Sequence, residues 1–215
     1  MLPQTGTMAS TKQRGFSIIE LLITVTVSVI LVAVVAVNLQ PAIRMQHVNQ
    51  AYNTTLMALR RAHDQAAADM RVYTVVFTPA TVGVNGCTIT VTQDVLGAQP
   101  SFTATLPIDV TFNVTTGIPT SPTTAPTTPD GFGSGATAFD FDQAQGGGSN
   151  TIYFYPDGSA QDNGPNGGNV NNGVVYLSMP GKLSTCRAIS LWGYTGRIRG
   201  WQLYQNGAVW TWSQI

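Results

Sequence analysis

Charge is scarce in this chain. Ten Lys and Arg oppose ten Asp and Glu in 215 residues, so the formal net charge is zero and only 9% of residues are charged. An ordinary soluble domain carries about 25%. The shortage argues against a free cytosolic enzyme and against a globally basic nucleic-acid binder. Histidine and cysteine are nearly absent, at two each, and neither zinc-ligand spacing nor a C-x-x-C pair is present. The sequence holds no nucleophile with a matched base, no paired carboxylates in a helical or strand setting, and no phosphate-binding loop. It therefore reads as a non-enzyme with no cofactor and no metal.

Glycine (22) and proline (12) are plentiful, as is threonine, which favours many short strands and loops over a helical bundle. The length allows one folded domain plus an appendage. The zero net charge also hides an ordering. Seven aspartates and no Lys or Arg lie between Val72 and Gly181, whereas Lys182, Arg187, Arg197 and Arg199 follow with no acid after them. An acidic body with basic last strands bears on partners more than on fold.

The strongest pattern is N-terminal. Phe16–Val37 is a run of 22 residues whose only charge is Glu20. As a helix it spans ~33 Å, matching the ~30 Å hydrocarbon core of a bilayer. Lys12 and Arg14 precede it, and the next charge is Arg44. The excess of positive charge places the N-terminus in the cytoplasm and the remainder outside. A cleaved signal peptide is the competing reading, but it has a shorter apolar region and a small-residue cleavage site. Here the apolar run continues into an amphipathic helix.

The segment Lys12-Gln13-Arg14-Gly15-Phe16-Ser17-Ile18-Ile19-Glu20-Leu21-Leu22 resembles the leader and processing site of type IV prepilins and pseudopilins: a short basic leader, a Gly, an aromatic, and a Glu four residues beyond it. The resemblance implies that residues 1–15 are a leader cut after Gly15 by a prepilin peptidase, and that Phe16 is N-methylated. A carboxylate inside hydrocarbon is costly and points to function. The new α-amino group of Phe16 would lie about one turn from Glu20, and in a filament that carboxylate could pair with the amine of a neighbouring subunit. A Glu snorkelling to the membrane surface is the plainer alternative.

Beyond the apolar run, Met45, Val48, Tyr52, Leu56, Leu59, Ala62, Ala66 and Met70 recur at spacings of three and four, the period of an amphipathic helix. The expected helix covers 16–68, with 16–37 as membrane span and 42–68 as the amphipathic half. Pro41 is expected to kink it. His47 and His63 fall on this helix as ordinary surface or boundary residues.

From residue 69 the period changes to two. Val72–Thr78, Cys87–Gln93, Phe102–Leu106 and Asp109–Val114 read as strands, as do Thr151–Tyr155, Gly173–Ser178, Arg187–Trp192 and Arg197–Tyr204. Asn206-Gly207 is a strong hairpin turn. Residues 115–150, rich in Thr, Pro, Gly and Ser, read as a long exposed or partly disordered loop, with Phe139 and Phe141 able to pin one end. The expected fold is α+β: a long N-terminal helix packed on a 69–215 domain of two small antiparallel β-sheets. The Asp157–Asn172 loop does not have the ligand spacing of an EF-hand.

Tyr153-Phe154-Tyr155-Pro156-Asp157-Gly158-Ser159, Gly173–Ser178, Ile189-Ser190-Leu191 and Thr195-Gly196-Arg197-Ile198-Arg199 resemble the C-terminal half of GspH/FimT-type pseudopilins. The stretch 115–150 and the tail after Gln205 depart from that pattern. Outside the cytoplasmic membrane Cys87 and Cys186 would meet oxidising conditions. A disulfide between them, closing a loop of about 100 residues, would contribute about 4–5 kcal/mol in the chain-entropy model. Two unpaired buried thiols are the alternative.

Three functions follow as expectations: a structural minor pilin or pseudopilin, a DNA-binding minor pilin, and a lone membrane-anchored periplasmic domain. The implied partners are a prepilin peptidase, other pilins, the cytoplasmic membrane and, in the second case, DNA. That case rests on Arg197, Arg199 and Trp201, which alternate onto one face of a strand. All four tryptophans lie in the last 24 residues, beside arginines suited to phosphate and base contacts. The plainer reading has arginines on an exposed strand and tryptophans in the core.

Overall fold

The structure is a computed structural model and describes residues 15–80, 85–95, 97–141, 149–162 and 168–215. The leader residues Lys12 and Arg14 lie outside the described residues, as do parts of the 115–150 and 157–172 loops. Contacts divide the chain into two units, at Met1–Ala42 and Ile43–Ile215. One helix, α1 (Ile18–Asp69, 52 residues), runs through both, and Pro41 lies within it.

In the first unit the described α1 side chains are exposed, including Leu21, Leu22, Ile23, Ile30 and Leu31. The hydroxyls of Thr24, Thr26 and Ser28 donate to carbonyls three or four residues earlier. That bonding satisfies them without water, as a bilayer requires. The segment is long and apolar enough to cross a membrane.

In the second unit α1 buries Val48, Ala51, Tyr52, Thr55, Ala58, Leu59, Ala62 and Ala66. The stripe differs from the expected one on its small-residue side. Ala51, Thr55 and Ala58 are buried, Leu56 is only partly so, and Met70 is exposed. Small side chains there let the backbone approach the sheets closely.

Eleven strands follow among the described residues: β1 (Tyr73–Thr78), β2 (Thr88–Gln93), β3 (Pro100–Thr105), β4 (Thr111–Phe112), β5 (Phe139–Asp140), β6 (Thr151–Phe154), β7 (Ala160–Gln161), β8 (Gly173–Ser178), β9 (Arg187–Trp192), β10 (Arg197–Asn206) and β11 (Val209–Gln214). They form two sheets, ordered β3-β2-β1-β6-β7 and β11-β10-β9-β8-β4, with β5 also beside β8. The strand pairings are antiparallel. Alternation works as expected on β1, where Tyr73, Val75 and Phe77 are buried. The main core lies between α1 and both sheets, and includes Phe77, Ile89, Phe154 and Leu191.

A second, smaller core holds Ile118, Val174, Tyr176, Cys186, Ala188 and Leu203, with Trp201, Trp210 and Trp212 against it. It explains why all six residues of β8 are buried: alternate side chains of β8 join different cores. It also corrects the expectation for 115–150. Ile118, Thr128, Phe132, Phe139 and Phe141 are buried, Pro129–Gly131 forms a 3-10 turn, and Phe139–Asp140 is a strand. Composition counted few apolar residues in this stretch, but Ile118 joins the second core, Phe132 meets the Trp192 ring edge-on, and Phe139 and Phe141 enter the main core, pinning one end of the stretch as expected.

Candidate assembly motif and candidate surface site

At the N-terminal end of the described chain, Gly15 has open space around it. Phe16 is 80% exposed. Glu20 is exposed in the first turn of α1, where a negative charge complements the partial positive charge of the helix end. Gly15, Phe16 and Glu20 are therefore open to an enzyme or another subunit.

The arginine–tryptophan strand is less open. β10 pairs with β9 so that Arg197 lies opposite Trp192, Arg199 opposite Ser190 and Trp201 opposite Ala188. Arg199 donates from Nη1 to Oδ1 of Asp130 at 2.6 Å. The other oxygen of Asp130 accepts from the Ser190 hydroxyl at 2.5 Å and from Trp192 Nε1 at 3.1 Å. Trp201 Nε1 donates to Ser190 Oγ at 2.9 Å. Arg199 also stands over the Trp192 ring, 5.7 Å from its centroid. The Asp130 side chain is only 5% exposed and that of Arg199 22%. This network fastens the 129–132 turn to the second sheet. Arg197 stays exposed, near the exposed Tyr194.

Arg187 is buried, and its guanidinium donates to the Cys186 carbonyl at 3.2 Å and to Asn49 Oδ1 at 3.3 Å. Burial holds its pKa below the ordinary arginine value. Of the four basic residues that close the sequence, only Lys182 and Arg197 thus present exposed charge.

Both glycines flanking this motif are packing positions. Gly200 lies against Tyr52, and Gly196, at φ 59°, lies against His63 and the Gly158 carbonyl. The His63 ring also meets Phe154 edge-on. His47 Nδ1 lies 2.8 Å from Asp109 Oδ2. Sequence reading missed Asp130, Ser190, Tyr52 and His63 as partners of the motif. Pro129-Asp130-Gly131 carries a turn signal, but nothing local reveals a partner on β10.

The expected Cys87–Cys186 bridge is not formed. Both cysteines are free and buried, in different cores. Cys87 Sγ accepts from the Ala80 N–H at 3.2 Å, on the first sheet. Cys186 precedes β9 on the second sheet, and burial pushes its thiol pKa up. Shared compartment does not bring them together, because the topology assigns them to separate layers. Among the described residues no group of three or more His, Cys, Asp or Glu could hold a metal ion.

No curated protein and no solved structure matches the chain. Residues 10–36 match the family model of the prokaryotic N-terminal methylation motif. That match encloses Gly15, Phe16 and Glu20 and the exposed apolar half of α1, and it supports a type IV pilin-like family for this chain, with membrane anchoring, prepilin peptidase processing and assembly with other pilins as its implications.

Proposed function

We propose that this protein is a minor pilin or pseudopilin of GspH/FimT type, a structural subunit with no catalytic activity of its own. A prepilin peptidase cuts between Gly15 and Phe16, and Phe16 is then methylated. Residues 16–37 hold the chain in the cytoplasmic membrane, with the β-rich domain on the outer side. The subunit enters a type IV pilus or a type II secretion pseudopilus. The observation that carries this reading is the Gly15-Phe16 junction with Glu20, set at the head of an exposed apolar helix. Glu20 pairs there with the Phe16 amine of a neighbouring subunit. The test is Glu20→Ala: incorporation into sheared filaments should fall at least tenfold, the scale of about 1.4 kcal/mol, while the melting temperature stays unchanged. Normal incorporation of this variant would overturn the charge-pair role.

A second reading, DNA binding in natural transformation, draws support from the exposed Arg197 opposite Trp192. Arg199 is engaged by Asp130 and Trp201 packs partly buried on the second core, so the two exposed cations of the last strands, Lys182 and Arg197, would add only about −2 to the salt slope on duplex DNA. Binding by the full chain at low salt that Arg197→Ala leaves unchanged would remove Arg197 from this role.

A further inference from the structure

The four edges of the two sheets are not alike. On the first sheet, β7 has two residues. β3 begins at Pro100, its register with β2 shifts at Val91/Thr92, and Arg61 donates to the Ser101 carbonyl. On the second sheet, β4 has two residues. Proline, irregular register and short length are the usual protections of a sheet edge. β11 has none of them. It is six residues long, Val-Trp-Thr-Trp-Ser-Gln, and its register with β10 is unbroken from Trp201↔Gln214 to Asn206↔Val209. Among the described residues it has no second neighbour, and no charged residue occurs from Gly200 to Ile215.

The ladder fixes which groups point outward. Ile215 donates its N–H to the Gly200 carbonyl. The odd-numbered residues of β11 therefore bond to β10, and alternation turns the N–H and C=O of Trp210, Trp212 and Gln214 to the free edge. The same residues share a side-chain face with Trp201 and Leu203, by their pairing.

We infer that the free edge of β11 pairs antiparallel with β11 of a second copy of this chain, about a two-fold axis near Trp212. With Trp212 on the axis, Trp210 faces Gln214 of the other copy, and outward groups meet outward groups. Even residues then pair with even residues, so both pairs of tryptophans fall on one face of a continuous sheet. A two-fold axis sets a strand against itself, so a charged edge would repel its copy. This edge carries no charged side chain. The inference is independent of the pilin reading.

The experiment is residue-resolved amide exchange on the full chain in detergent at low and high protein concentration. Exchange at Trp210, Trp212 and Gln214 should slow about tenfold or more at high concentration, as new bonds protect amides against local opening. Thr211 and Ser213 should be protected at both. Gln214→Pro removes an outward N–H that bonds nothing within the sheet, and should abolish the concentration dependence with the near-ultraviolet tryptophan spectrum unchanged. Equal exchange of the three outward amides at both concentrations overturns the inference, even if the chain dimerises through another surface. So does concentration-dependent protection that survives in Gln214→Pro.

Discussion

The hydroxyl of Tyr52 on α1 rests on Gly200 of β10, where any Cβ would overlap it. Three helical turns further on, His63 occupies the space over Gly196 in the same way. The two glycines that bracket Arg197-Ile198-Arg199 thus set how closely the second sheet lies on the helix. Burial raises the pKa of Tyr52, in keeping with this enclosed position.

Gly200→Ala should therefore destabilise the fold by about 1–3 kcal/mol, the range for overpacking a filled site. Tyr52→Phe removes the overlapping oxygen, and in the double variant it should recover a substantial part of that loss. Denaturant titration of the four proteins measures the coupling. Additive effects would place the strain elsewhere.

The arginines should separate by role. Arg199→Ala leaves the buried Asp130 carboxylate without its cation. Because the arginine is partly exposed, we expect a loss of about 2–3 kcal/mol, below the range for a fully buried pair. Arg197→Ala should change stability by less than about 0.5 kcal/mol, as for an ordinary surface substitution. Equal losses would mean that the Asp130 network does not hold the 129–132 turn.

The thiols give a third check. In protein prepared without reductant, thiol reagent should find both Cys87 and Cys186 after denaturation and neither rapidly in the native state, since buried thiols are inert. No thiol after denaturation would reinstate the bridge.

Stability should depend on pH on the alkaline side. Burial raises the pKa of Cys186 above its ordinary 9.0 and those of Tyr52 and Tyr176 above their ordinary 10.0. Each is held protonated by the fold, so its contribution is complete at neutral pH and is lost as pH rises beyond those values. Asp157 works oppositely. Bonds from Ser159 hold its pKa below 3.8, so its contribution is present above that value and is lost in acid. Thermal melts should be flat from pH 6 to 8 and fall above about pH 9. A flat profile through pH 11 would contradict the burial of these groups.

Much of the fold was legible because its signals are local. The apolar run, the three-four stripe and the alternating strands each follow from a period. The N-terminal motif was legible because its residues are contiguous. What escaped the sequence is non-local. The burial of Ile118, Phe132 and Phe139 depends on strands far from them in the chain, in the second core, at Trp192 and in the main core respectively. The fate of Arg199 depends on Asp130, far away in the chain. The cysteines were misjudged because compartment says whether a disulfide can persist and nothing about whether two strands share a layer.

Processing at Gly15-Phe16 can be read by intact-mass analysis of the chain recovered from membranes with an active prepilin peptidase. A mature chain of residues 16–215 carrying one methyl group on the Phe16 amine is expected. An N-terminus near Gln40, or an unprocessed chain beginning at Met1, would contradict it.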